Sequence, residues 1–174
     1  TTWKAKAWQN HGDDDVVLCS EDCLHLNIWT KNPNAKNKPV VVWVHGGGFT
    51  SGSGADEFFN GATFSSTDEV VFVTVNYRLG VFGFLDVSPV LGEDYVGSSN
   101  NGILDIVEAL RFISNHIEHF GGNPDLITVM GESAGAKCVS TLLTIEAARQ
   151  LIHQVILQSG SVQCIRDVKT AQFV

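Results

Sequence analysis

The segment LITVMGESAG, residues 126–135, places a serine between an apolar run and a helical pattern. Residues 126–130 are all apolar or β-branched, which is typical of a short buried strand. Gly131 and Gly135 lie two residues on either side of Ser133, and glycines at this spacing suit a tight turn in which larger side chains would collide. The segment therefore predicts an α/β fold with Ser133 at the carboxyl end of a strand. An ordinary loop serine is the alternative interpretation of the five-residue motif taken alone.

Further strand and helix patterns surround this segment. The runs at residues 39–45, 70–76 and 155–158 are nearly continuous in apolar, mostly β-branched residues, as in strands covered on both faces. Apolar residues recur at steps of three and four in residues 101–120 and from 134 to about 149, which predicts two helices. Alternating strands and helices predict a mainly parallel sheet with right-handed crossover helices.

A glycine-rich stretch, HGGGF at residues 45–49, directly follows the predicted strand at 39–45. Glycines allow backbone N–H groups to approach a ligand closely, and two such groups aimed at one point can stabilise an oxyanion. The alternative is a plain glycine turn. Its position after a buried strand, together with the serine motif, favours the oxyanion interpretation.

The composition narrows the class of protein. The chain has 174 residues, is 44% hydrophobic and 17% charged, and carries a formal net charge of −8, which predicts one globular domain. Lysines and arginines are scattered, so nucleic acid is not expected as a partner. No apolar run is long enough for a membrane span, and the first residues lack the pattern of a signal peptide. The absence of an Asn-x-Ser/Thr sequon favours the cytoplasm over secretion. Cys19 and Cys23 have no second pair at zinc-binding spacing, so neither a metal nor another cofactor is expected.

Five motifs in order make the chain resemble the type-B carboxylesterase and cholinesterase family. They are SEDCL at 20–24, HGGGF at 45–49, NYRLG at 76–80, FGGNP at 120–124 and GESAG at 131–135. The resemblance implies an α/β-hydrolase fold and a small-molecule ester as substrate.

The resemblance also implies roles for single residues. Ser133 would be the nucleophile, and the N–H groups of Gly47, Gly48 and Ala134 would form the oxyanion hole. Two further residues are implied to act next to these groups. Ser159 matches a serine beside the triad carboxylate, and Glu132 matches a glutamate that either influences the catalytic histidine or has a buried structural role.

The activating acid and histidine are not expected within these residues. The family order is serine, acid, histidine, and both partners are implied to lie well beyond Ser133. Glu146 and His153 satisfy the order but not the geometry. Glu146 would lie about 20 Å from the serine on a continuous helix, and His153 would lie at the opposite edge of the sheet. His45 precedes the serine and is expected to shape the oxyanion loop, and His116 and His119 are expected at the far end of their helix. His11 and His25 have no motif context, so surface or packing roles are expected for them. Residues 1–174 are therefore expected to be the N-terminal part of one α/β-hydrolase domain and to be nearly inactive alone. The alternatives for the missing part are the rest of the same polypeptide and a separate chain.

Other functions are compatible with some of the same residues. A catalytically silent, cholinesterase-like adhesion or binding module would keep the fold, but such modules usually lose the serine or its turn, and both are intact here. A lipase or peptidase would use the same chemistry. A choline-specific enzyme is disfavoured because Asp13 to Asp15 stand where cholinesterases have a tryptophan for cation–π contact.

Overall fold

A single five-stranded sheet organises the chain in the computed structural model, which describes residues 3–9, 19–160 and 167. The strands are β1 Leu26–Trp29, β2 Lys38–Val44, β3 Val71–Val75, β4 Gly122–Glu132 and β5 Gln154–Gln158. Their order across the sheet is β1-β3-β2-β4-β5. Strand β1 is antiparallel to β3, and all other pairs are parallel. The predicted mainly parallel sheet is confirmed.

Six helices lie between these strands in the described part of the chain, and the apolar patterns predicted those near residues 101–120 and 134–149. The six helices are α1 Ala62–Ser66, α2 Gly80–Phe84, α3 Ser88–Leu91, α4 Asn101–His116, α5 Ala134–Leu142 and α6 Glu146–Arg149. Short 3-10 turns lie at Glu57–Phe59, Glu93–Tyr95, Ser98–Asn100 and Ile117–Phe120. Helix α4 packs against α5 and α6.

The three central strands, β2, β3 and β4, share a fully buried face. Alternate residues of the central strands, including Val42, Val73 and Val129, have no exposed surface. The helix α4 contributes its apolar stripe to the same core, including Ile106 and Leu110, which are also fully buried. This burial explains why the sequences of the central strands are nearly continuous in apolar residues. It also explains why apolar residues recur along α4 with a period of 3.6 residues.

The predicted helix over residues 134–149 is wrong in its second half. The helix α5 ends at Leu142, and the backbone is extended at Ile145 before α6 begins. Three hydroxyl groups bind backbone carbonyls at the end of α5: Ser140 Oγ and Thr141 Oγ1 donate to Lys137 O at 2.8 and 2.9 Å, and Thr144 Oγ1, just beyond the helix, donates to Thr141 O at 2.7 Å. Such bonds compete with the helical ladder. Glu146 therefore does not lie on a continuation of the helix that follows Ser133.

Strand β5 forms an edge of the sheet in the described part of the chain. It pairs with β4 on one side, while Ile156 and Leu157 are 46% and 39% exposed. A strand at the edge of a sheet presents unpaired backbone N–H and C=O groups on its free side.

Candidate active site

Parallel strands bring the two glycine motifs to one edge of the sheet. Strand β2 runs beside β4, with Val44 opposite Gly131, and the chain continues from there into His45 and Ser133 respectively. Strand β5 ends at the same level, because Glu132 lies opposite Gln158. The carboxyl ends of three strands therefore meet where open α/β sheets bind ligands.

Ser133 occupies a strained position between β4 and α5. Its backbone has φ 52° and ψ −118°, a conformation that costs of the order of 1–3 kcal/mol for a residue with a side chain. The Ser133 N–H donates to Gln158 O at 2.8 Å, and its carbonyl accepts from Lys137 N at 3.1 Å. The side-chain hydroxyl is partly exposed and has no hydrogen-bond partner among residues 19–160. This turn, residues 131–135, is called the elbow below.

The elbow glycines are needed for close packing. A Cβ on Gly131 would lie 2.6 Å from the carbonyl carbon of Gly135, across the turn itself. A Cβ on Gly135 would lie 2.1 Å from Val44 O, at the end of the neighbouring strand. The elbow can therefore form against β2 only with glycine at both positions.

The glycine loop, residues 45–52, lies directly against the serine. A Cβ on Gly46 would be 3.3 Å from the Ser133 Cβ. Gly47 and Gly48 both have positive φ, 105° and 63°. The Gly47 carbonyl points into the turn, where it accepts from Thr50 N at 3.1 Å and from Ser51 N at 3.0 Å.

Three backbone N–H groups remain available at this edge. Those of Gly47, Gly48 and Ala134 donate no hydrogen bond to any residue in the described ranges. Ala134 is also the first residue of α5, where the helix dipole favours negative charge. The site can therefore offer several donors to an oxyanion beside Ser133.

His45 lies beneath the glycine loop and is 1% exposed. Its Nδ1 is 2.8 Å from Gly46 O, and a neutral ring with the proton on Nδ1 satisfies this contact. The ring stacks on Tyr77 at a centroid distance of 4.4 Å, and the Tyr77 hydroxyl donates to His45 O at 2.8 Å. Burial lowers the pKa of His45 to about 4. A neutral, stacked histidine thus supports the loop, as its place in the motif predicts.

Acidification should destabilise the fold through His45. The unfolded side chain takes up a proton below its ordinary pKa near 6.5, whereas the buried ring stays neutral until about pH 4. Protons therefore favour the unfolded state in this window, and between roughly pH 7 and 5 the free energy of unfolding should fall by about 2 kcal/mol from this group. Urea unfolding of the wild type and His45→Asn at both pH values measures the difference.

On acidification from pH 7 to 5, the free energy of unfolding of His45→Asn should fall by about 2 kcal/mol less than that of the wild type. His119→Asn serves as the control, because His119 is exposed at the end of the turn Ile117–Phe120. It should keep the pH dependence of the wild type. Equal pH dependence in wild type and His45→Asn would contradict the assignment.

Glu132 and Ser159 flank the elbow in different ways. Glu132 is exposed among the described residues, and its carboxylate lies next to the glycine loop, because a Cβ on Gly46 would be 2.9 Å from Glu132 Oε2. Both roles considered for it, an influence on the catalytic histidine and a buried structural role, stay predictions. Ser159 is also exposed and has φ 53°. It precedes Gly160, where a Cβ would lie 2.8 Å from Ser133 O, so the segment after β5 packs against the elbow.

The remaining acidic and histidine candidates do not meet Ser133. His153 Nδ1 accepts from Ile127 N at 3.2 Å, in the middle of β4. His153 directly precedes β5, so it lies at the amino end of that strand, away from the edge that holds Ser133, as predicted. His25 contacts Asp22, and His119 Nδ1 lies 3.2 Å from His116 O. His11 lies outside the described residues.

The described part of the chain also bears on disulfides, metal sites and membrane spans. Cys19 and Cys23 form no disulfide with each other. No group of three or more histidines, cysteines or carboxylates in the described ranges is arranged to hold a metal ion. None of the described helices has the length and apolarity needed to cross a membrane.

Sequence patterns missed two residues that support the glycine loop. Tyr77 lies in the motif NYRLG, which contributes to the family resemblance but predicted no role for the tyrosine. Gln9 lies outside every motif. Tyr77 binds His45, and Gln9 binds Gly52, across separations of 32 and 43 residues. Contacts of this range leave no periodic signal, although the tyrosine directly after a buried strand could have pointed to this edge.

Known proteins give a consistent assignment for this arrangement. Residues 1–172 match the model of the carboxylesterase family. The para-nitrobenzyl esterase of Bacillus subtilis is 44% identical over 142 residues, which cover 82% of this chain and 28% of that protein. An acetylcholinesterase of Bungarus fasciatus is 46% identical over 81% of this chain and 23% of its own length. A crystal structure of a Geobacillus stearothermophilus carboxylesterase at pH 6.8 superposes with a TM-score of 0.91 and 42% identity, covering 99% of this chain and 36% of that one. The chain thus spans roughly a quarter to a third of the length of these relatives. It belongs to the carboxylesterase family.

Proposed function

We propose that the protein containing this chain hydrolyses carboxylic esters through an acyl-enzyme formed on Ser133. The proposal rests on the strained backbone of Ser133, with φ 52°, next to a glycine loop. In the described ranges the N–H groups of Gly47 and Gly48 in this loop donate no hydrogen bond. A strained backbone persists only where surrounding contacts hold it, and such positions cluster at active sites.

Each proposed step uses a group at this edge. The Ser133 oxygen attacks the ester carbonyl carbon and passes its proton to a general base. The carbonyl oxygen becomes negatively charged and accepts hydrogen bonds from the N–H groups of Gly47, Gly48 and Ala134. The alcohol leaves with a proton, and water then releases the acid from the serine. No cofactor is needed for these steps.

We further propose that the general base and its carboxylate partner come from polypeptide outside these 174 residues. Within the described ranges no histidine contacts Ser133, and the chain covers 28% of the para-nitrobenzyl esterase that it resembles. A serine hydroxyl without a base is a weak nucleophile at neutral pH. These 174 residues alone are therefore expected to be nearly inactive.

A fluorophosphonate probe tests the proposal in the full-length protein. Attack by Ser133 would form an oxygen–phosphorus bond and expel fluoride, and peptide mapping by mass spectrometry should find the adduct on Ser133. Ser159, the exposed serine next to the elbow, should remain unlabelled and serves as the internal control. Absence of labelling, together with no hydrolysis of nitrophenyl butyrate, would contradict the proposal and favour the non-catalytic binding module.

A further inference from the structure

A side chain from the beginning of the chain holds the far end of the glycine loop. Gln9 Nε2 donates to Gly52 O at 2.9 Å, and Gly52 N–H donates to Gln9 Oε1 at 2.9 Å. The same Nε2 donates to Ala7 O at 3.1 Å, which fixes the amide plane. Gln9 therefore pairs with both peptide groups of Gly52, as an adjacent strand would.

Gly52 in turn packs against the start of the loop. It has φ 108°, and a Cβ there would lie 2.5 Å from His45 Nδ1 and 2.7 Å from Gly46 O. These atoms belong to the residues that directly precede Gly47. Because protein interiors are densely packed, a shift of Gly52 would also shift His45 and Gly46.

Other groups hold the neighbouring positions but not Gly52 itself. The turn before it closes through Ser51 N and Gly47 O, and Gly54 N–H donates to Asn76 Oδ1 at 2.8 Å. Among the described residues, Gln9 is the one hydrogen-bond partner of Gly52. Since Gly52 is partly exposed, water can replace Gln9 in a variant, so the loop should loosen while the fold persists.

We infer that Gln9 is a positioning residue that fixes the N–H groups of Gly47 and Gly48 for the oxyanion. The inference rests on the proposed function and extends it to a residue that no motif contains. An oxyanion forms only during the reaction, so a misplaced donor lowers kcat and leaves KM nearly unchanged. Loss of a whole donor costs about 100-fold or more, and a displaced donor should cost less.

The test compares Gln9→Met with Gln154→Met in the full-length protein. Methionine keeps the length of glutamine and removes its hydrogen bonds. Gln154 makes one weak bond, from Thr128 at 3.4 Å, at the amino end of β5. With nitrophenyl butyrate, Gln9→Met should lower kcat about 10-fold with KM within twofold, and Gln154→Met should change neither.

Amide hydrogen exchange supplies a measurement that does not depend on activity. The Gly52 amide should be protected in the wild type and in Gln154→Met, and it should exchange at least 10-fold faster in Gln9→Met. An unprotected Gly52 amide in the wild type, or equal kcat in the two methionine variants, would overturn the inference. A wild type that neither hydrolyses the ester nor takes the probe would instead count against the proposed function.

Discussion

Ser133→Ala should lower kcat for ester hydrolysis by about 10⁴-fold or more in the full-length protein, because it removes the atom that forms the acyl-enzyme. The loss should appear in kcat, since the oxyanion loop and the binding surface would remain. The fold should persist, because Ser133 uses its backbone N–H and carbonyl, and not its hydroxyl, to bind Gln158 and Lys137. The strain of positive φ should differ between alanine and serine by only about a few tenths of a kcal/mol. Steady-state kinetics and thermal unfolding measure the two effects separately.

Ser159→Ala is the matched control for this experiment. Ser159 is also an exposed serine with positive φ, φ 53°, at the end of a parallel strand at the same edge. Its implied place beside the triad carboxylate predicts a loss of about 10-fold at most, since it would act through another group. A loss at Ser159 as large as that at Ser133 would contradict the assignment of Ser133 as the nucleophile.

The strands and the site edge could be predicted because burial imposes a local pattern. Strand β3 is buried at all five positions, and its predicted bounds differ from the observed ones by one residue at each end. Strand β1 was not predicted, because it is only four residues long and half-buried and has no continuous apolar run. Its one sequence signal is the alternation of Leu24, Leu26 and Ile28 with His25 and Asn27, which is typical of a half-buried strand. The helix α5 was predicted too long because apolar residues continue past Leu142, whereas the helix ends there and the backbone is extended at Ile145.

The support of the site could not be predicted in the same way. Gly47, Gly48, Ala134 and Ser133 each follow or begin a regular element, so the parallel sheet alone brings them together. Tyr77 and Gln9 act through single side-chain contacts between segments distant in sequence. Their geometry depends on the finished packing.

Gly135→Ala should destabilise the protein by about 3 kcal/mol or more, although helix propensity predicts the opposite sign. Alanine in a helix is favoured over glycine by roughly 1 kcal/mol. The added Cβ would, however, lie 2.1 Å from Val44 O and 2.6 Å from His45 O. Both are backbone oxygens at the end of a central strand, so neither can rotate away, and α5 must move from the sheet. The steric cost therefore exceeds the gain in propensity.

The displacement of α5 should also slow the attack by Ser133, because Gly135 is two residues from Ser133. Urea unfolding measures the loss of stability, and the rate of fluorophosphonate labelling should fall by about 100-fold or more as the elbow leaves the glycine loop. Gly97→Ala is the control, since Gly97 has φ 93° but no atom within 4 Å of an added Cβ. The Gly97→Ala variant should have a free energy of unfolding about 1 kcal/mol lower than the wild type, because of backbone strain, and an unchanged rate of labelling. A Gly135→Ala variant as stable as the wild type would show that the close approach of α5 to β2 does not constrain the elbow.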